Sequence, residues 1–165
     1  VVMVDIDERL VEICKQHLPE WHAGCFLDKR AKLLYTDAFK YVEDCNEKFD
    51  VIIIDVTDPS SSIAKHVFSE KFYDSLKGIM EKGAICAFQA GNFAKPDIYN
   101  KILEQMRKCF GFAYPYKNFI PSFYAEWGFI VASMDKTDTD NIRASPVKNR
   151  FYTGVSHRSM FSVDK

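Results

Sequence analysis

The sequence predicts an α/β fold built on a doubly wound, mostly parallel sheet. Three observations predict it. Apolar runs that end in acid, "VVMVDID", "AKLLYTDA" and "FDVIIIDV", alternate with stretches of helical period. Pro19, Gly83 and Gly111 fall where such elements should stop or start. The chain has 165 residues, the size of one domain, and 47% hydrophobic residues with 15% aromatics suffice for a core.

The elements follow in order. "VVMVDID" reads as a buried strand. "DERLVEICKQHL" is a helix with Leu10, Cys14 and Leu18 on one face and Val11 and Ile13 beside them. Asp7 is placed to cap it, Glu8 lies in its positive first turn, and Pro19 stops it. "AKLLYTDA" is the second strand, "FKYVEDC" a short helix and "FDVIIIDV" the third strand. "KHVFSEKFYDSLKGIM" is predicted helical, with Val67, Phe72 (or Phe68), Leu76 and Met80 inward. Gly83 leads into the strand "AICAFQA". "KPDIYNKILEQMRKCF" is a helix with Pro96 in its first turn, Ile98, Ile102 and Met106 inward, and Gly111 as its stop. "FAYPYKNFIPS" and "GFIVASM" read as two late strands. A polar linker covers about 135–146, and the aromatic tail "RFYTGVSHRSMF" is expected to pack back on the body. Residues 1–165 are taken as one domain.

Composition narrows the function. Net charge is −1, from 22 basic and 23 acidic residues, so no nucleic-acid partner is expected. No apolar run reaches the roughly 20 residues that cross a membrane, and Asp5 and Asp7 break the first apolar run, so neither span nor signal peptide is expected. The five cysteines are scattered, without C-x-x-C, which suggests reduced thiols and a cytoplasmic location. The four histidines show no ligand spacing, so no metal is expected.

The strand ends carry the chemistry. In open parallel sheets ligands bind beyond the carboxyl ends of the strands. Asp5 with Asp7, Asp37, and Asp55 with Asp58 all stand there. An acid after the second strand of such a sheet can accept from both ribose hydroxyls, and Ile6 can pack on a base. Asp37 can accept from an exocyclic amine of adenine, or it can cap the next helix. Asp55 stands flush with an apolar strand, where an unpaired charge is costly, so it should have a partner or a purpose. A pair of carboxylates would attract a cation, and an amine fits. Phe123, Tyr124 and Trp127 can wall an aliphatic chain, or simply fill the core.

No G-x-G cluster occurs among the 7 glycines. A doubly wound nucleotide-binding sheet begins with a strand that leads into such a loop and lies at its centre. "VVMVDID" fits the second strand instead. The expectation is therefore a sheet without its first strand, and a chain that is the C-terminal part of a longer protein.

"VVMVDIDERLVEICKQHLPEW", "TDAFKY", "FDVIIIDVTDP", "FSEKFYDSLK", "FQAGN" and "IPSFYAEWGFIVAS" together resemble the spermidine/spermine synthase family, the polyamine aminopropyltransferases. The resemblance implies a Rossmann-like, methyltransferase-type fold. It implies transfer of the aminopropyl group of decarboxylated S-adenosylmethionine to a diamine or polyamine, leaving 5′-methylthioadenosine. That donor is a co-substrate, and no prosthetic group is implied. By resemblance Asp55 is the catalytic acid and Asp58 contacts the acceptor amine. Asp5 binds ribose, Ile6 lies against adenine, and Asp37 with Ala38 contacts adenine. Gln89 lines the pocket, and Phe123 stands at the acceptor-binding tyrosine position. "PSF" followed by "WG" is similar to the thermospermine synthase branch, which points to long acceptors. A homodimer is expected. The competing readings are an S-adenosylmethionine methyltransferase and a catalytically inactive regulatory homologue.

Overall fold

The structure, a computed structural model, describes residues 1–56, 66–143 and 145–163. By contact the chain divides into two compact units, Val1–Asn46 and Glu47–Lys165.

The first unit holds β1 (Val2–Asp5), α1 (Glu8–His17), the single-turn helix α2 (Pro19–His22), β2 (Lys32–Tyr35) and α3 (Ala38–Asp44). β1 and β2 run parallel, with Val2 opposite Lys32 and Asp5 opposite Tyr35. α1 starts where expected, because Asp7 Oδ1 accepts the Leu10 N–H at 2.8 Å. Its flank is tied to β2 by side chains. Tyr35 Oη donates to Glu12 at 2.8 Å, and Lys15 Nζ reaches Tyr35 Oη at 3.1 Å and Glu12 at 2.5 Å. Those hydrogen bonds, from Lys15 first, hold the Glu12 carboxyl below its usual range. The inward face read from sequence does not hold within this unit. Val11 is buried, whereas Leu10, Ile13 and Leu18 stay 53%, 46% and 40% exposed. A two-stranded ladder offers too little surface to cover a stripe that wide.

The second unit holds β3 (Phe49–Ile54), α4 (Glu70–Gly78), β4 (Met80–Asn92), α5 (Pro96–Phe110), β5 (Phe112–Ile120), β6 (Ala125–Ser133) and α6 (Gly154–Phe161). The strand order is β3-β4-β6-β5. β3 and β4 are parallel, but β6 is antiparallel to both β4 and β5. The expected alternation thus holds through β4, and the last two strands close the sheet as a hairpin because only Pro121–Phe123 and Tyr124 separate them.

The helices α4 and α5 build the core against one sheet face. Phe72, Tyr73, Leu76, Cys86, Phe88, Met106 and Ile130 are almost completely buried. Each large apolar side chain there contributes about 1.5–3 kcal/mol relative to exposure. Tyr73 meets Phe88 edge-on at 5.7 Å and Phe110 at 5.6 Å.

Two helix readings need correction. α4 begins at Glu70, because Ser69 Oγ accepts the Phe72 N–H, and Met80 belongs to β4 rather than to the helix. Val67 lies in the turn before it. In α5 the inner face is Tyr99, Ile102, Leu103, Met106 and Phe110, while Ile98 is 37% exposed. Pro96 and Gly111 bound α5 as expected. The tail does pack back: Phe161 of α6 stacks on Tyr116 at 5.0 Å, and Tyr116 on Phe129 at 5.1 Å.

Candidate active site

In the first unit the acids stand at the carboxyl ends of two adjacent parallel strands. Asp5 ends β1 opposite Tyr35, and Asp37 follows β2 by two residues. Neighbouring strands lie about 4.8 Å apart, so one small ligand can span both ends. Asp5 Oδ1 accepts the Asp7 N–H at 2.8 Å, a local turn that fixes the carboxylate. Asp37 is an N-cap, its Oδ1 accepting from the Phe39 and Lys40 N–H groups at 2.7 and 3.2 Å. The capping role left open by the sequence is therefore filled. It uses one oxygen and leaves Oδ2 without a partner among the described residues. Ala38 is the first residue of α3. Ile6, just past β1, is 73% exposed, an isoleucine that the unit itself does not bury.

In the second unit the β3–β4 register places the next group. Ile54 with Phe88 is the last pair of the ladder, and Asp55 and Gln89 each follow it by one residue. Alternation along β4 separates its faces. Ala84, Cys86, Phe88 and Ala90 are buried toward α4 and α5, whereas Gln89 leaves by the other face with its cross-strand partner Phe129. Asp55 is exposed and has no hydrogen bond or ion pair among the described residues. The desolvation cost inferred from its apolar strand does not apply, because β3 keeps Val51 55% and Ile53 72% exposed. Asp58 lies outside the described residues.

Gln89 carries a buried Oε1 with no hydrogen-bond partner among the described residues. Phe123 ends the short 3-10 turn Pro121–Phe123 and packs against Trp127 with ring centroids 4.6 Å apart. The next residue, Tyr124, takes a left-handed conformation (φ 47°) that reverses the chain into β6. From sequence Trp127 reads either as an apolar wall or as ordinary packing. The structure adds that its Nε1 is buried and also unpartnered among the described residues. The alternation Trp127, Phe129, Val131 along β6 sets its face, but nothing in the sequence tells whether an indole N–H finds a partner.

Among the described residues no group of three or more His, Cys, Asp or Glu is placed to hold a metal, and no helix is long and apolar enough to cross a membrane. None of the five cysteines forms a disulfide.

Comparison with known proteins identifies the family and the fold. The family described as "Spermine/spermidine synthase domain" matches residues 1–142. "Polyamine aminopropyltransferase 2" of Hyperthermus butylicus is 36% identical over 99% of the chain, and "Polyamine aminopropyltransferase" of Pyrobaculum islandicum is 38% identical over 98%. These alignments cover 57% and 60% of the relatives, so the chain spans somewhat over half their length. A spermidine synthase crystal structure, solved with the transition-state analogue AdoDATO, superposes with a TM-score of 0.85 at 23% identity, covering 99% of this chain and 58% of that one. The spermidine synthase of Thermotoga maritima gives 0.82. At that identity the superpositions establish the fold, which is α/β and Rossmann-like.

Proposed function

Because the chain belongs to the spermine/spermidine synthase domain family, we propose that it carries out aminopropyl transfer within the full-length protein. The donor is decarboxylated S-adenosylmethionine, a co-substrate, and the acceptor is a diamine or polyamine. A neutral amine nitrogen attacks the methylene bonded to the sulfonium. The N–C bond forms, the C–S bond breaks with its electron pair going to sulfur, and the products are 5′-methylthioadenosine and a lengthened polyamine. The proton released by the new ammonium passes to a carboxylate or to water.

The observation that carries this reading is Asp55. It follows the last residue of β3, is exposed, and has no hydrogen bond or ion pair among the described residues; Gln89 is likewise one residue past the last β3–β4 pair, Ile54 with Phe88. A carboxylate so placed orients the amine and takes its proton, help worth about 10²–10⁴ in rate. Asp58 is assigned to a non-reacting ammonium. In the first unit, Asp5 is assigned to the ribose hydroxyls, Ile6 to the face of adenine, and Asp37 Oδ2 with Ala38 to the adenine edge.

Phe123 supports a long acceptor such as spermidine. It offers ring surface and no hydroxyl, so it favours methylenes over a nearby charge. Spermidine, spermine and thermospermine are the products to be separated by assay. Five cysteines without a disulfide support a reducing, cytoplasmic location. Assembly as a homodimer belongs to the same proposal and is read by sedimentation. The decisive experiment is methylthioadenosine release by the full-length protein from decarboxylated S-adenosylmethionine, with putrescine, spermidine and agmatine offered in turn. No release with any amine would exclude the reading.

A further inference from the structure

Two polar atoms on one sheet face lack what a folded interior normally supplies. Gln89 Oε1 and Trp127 Nε1 are both buried and both without a hydrogen-bond partner among the described residues. Native structures rarely leave such atoms unpaired, since desolvation without a partner is costly. Gln89 pairs with Phe129 across β4 and β6, and Trp127 lies two residues from Phe129 along β6. Side chains two apart on a strand share a face, so Trp127 and Phe129 stand on the same side of β6; β4 shifts register between Gln89 and Asn92, the partner of Trp127, so Gln89 and Trp127 are diagonal neighbours across that irregularity. Phe123 packs on Trp127 with ring centroids 4.6 Å apart, and Gln89 follows the last β3–β4 pair, Ile54 with Phe88, by one residue, as Asp55 does.

Their chemistry restricts what can satisfy both. Gln89 offers an acceptor there, and the indole offers only a donor. An ammonium has donors alone, so it serves Gln89 but leaves Trp127 unpaired. A water serves both, and its second lone pair remains free.

We propose that Gln89 and Trp127 hold one water between them, and that this water recognises a protonated, non-reacting nitrogen of a polyamine. The water accepts from Trp127 Nε1–H, donates to Gln89 Oε1, and accepts from the ligand N⁺–H. Through it a donor-only indole contributes to cation binding. The neighbouring methylenes lie against Phe123 and the face of Trp127. The inference rests on the aminopropyl-transfer reading above and names how that site takes its amine.

The test is a double-mutant cycle on the full-length protein, using spermidine as the probe. Gln89→Met keeps the side-chain volume, and Trp127→Phe keeps a ring against Phe123. Calorimetric affinity and steady-state kinetics are measured for each single and for the double. Each single should weaken spermidine about tenfold, in Kd and KM, with kcat within about twofold. The double should be hardly worse than either single, because both lose the same water. Losses that multiply to about a hundredfold would show two independent contacts and overturn the proposal, as would singles with unchanged affinity. Gln89→Glu supplies a second check that packing does not explain. Its carboxylate should restore spermidine affinity in the Trp127→Phe background, and no recovery there counts against the shared water. If the wild type binds spermidine with this coupling but releases no methylthioadenosine, the subsite stands and the transferase reading fails. If it binds no spermidine, the subsite fails, and the transferase reading fails with it only when putrescine and agmatine also release no methylthioadenosine.

Discussion

Tyr99 occupies the space that a side chain on Gly128 would need. A Cβ on Gly128 would stand 2.5 Å from Tyr99 Cε2, and Tyr99 Oη donates to the Phe129 carbonyl at 2.9 Å, which keeps the ring in place. Gly128→Ala should therefore destabilise the second unit by about 1–3 kcal/mol through overpacking. Urea unfolding checks it. A midpoint equal to wild type would mean that the ring moves aside freely.

Asp55 should separate activity from stability. It is exposed and unpartnered among the described residues, so Asp55→Asn should leave the melting temperature in place. Turnover should fall by about 10²–10⁴ with donor affinity nearly unchanged. Near wild-type turnover with the best acceptor would reduce Asp55 to a turn residue.

Asp37 has two roles that two substitutions can divide. Asparagine caps helices as well as aspartate does, whereas alanine does not. Asp37→Ala should cost about 1 kcal/mol of stability and weaken the nucleoside donor. Asp37→Asn should spare stability and still weaken the donor, because the oxygen left over from capping becomes an amide. Equal donor affinity in Asp37→Asn and wild type would leave Asp37 as a cap alone.

Alkali should weaken the fold. Burial pushes the Cys86 thiol and the Tyr73 and Tyr99 phenols well above their ordinary values of 9.0 and 10.0. The unfolded chain releases these protons at the ordinary values while the folded chain keeps them. Stability from these groups is thus intact below about pH 9 and falls as pH rises beyond it. The urea midpoint should drop between about pH 8 and pH 10.5, and Cys86 should resist alkylation until unfolding. A midpoint that holds steady over that range would contradict the linkage.

The tail depends on one histidine. His157 Nε2 donates to the Thr139 carbonyl at 2.6 Å, Nδ1 meets Tyr152 Oη at 2.6 Å, and its ring lies 4.6 Å from that of Phe161. His157→Ala should free α6 from β5 and open the preceding basic stretch, Lys148 and Arg150, to trypsin, while the main unfolding transition persists. Cleavage no faster than in wild type would show that the Phe161–Tyr116 stack holds the tail unaided.

Elements with strong local signals were legible in the sequence. Asp7, Pro96 and Gly111 act on their own helices, so their positions could be read without a fold. The last strand is read from Gly128, whereas β6 starts at Ala125, so the alternation that puts Trp127 and Phe129 on one side of it is visible only in the structure. What failed depended on distant context. The start of α4 was set by Ser69 capturing the Phe72 N–H, against a helical pattern that ran on to Met80. The exposure of Ile53 and Leu10 reflects which surfaces each unit can cover, and periodicity carries no information on that. For the site, residue types at strand ends were readable from acids alone. Whether Asp37 is also a cap, and whether Gln89 and Trp127 are satisfied, depends on hydrogen-bond geometry that composition does not encode.

The two-sided alternation of β4 has an evolutionary consequence. Ala84, Cys86, Phe88 and Ala90 answer to the interior, while Ile85, Ala87 and Gln89 face away from it. Adjacent codons therefore drift under separate constraints. Saturation mutagenesis from Ala84 to Ala90 should show tolerance oscillating with period two, scored by abundance at the even positions and by ligand preference at the odd ones. A lineage could retune its choice of amine through the odd positions alone, leaving the buried scaffold untouched.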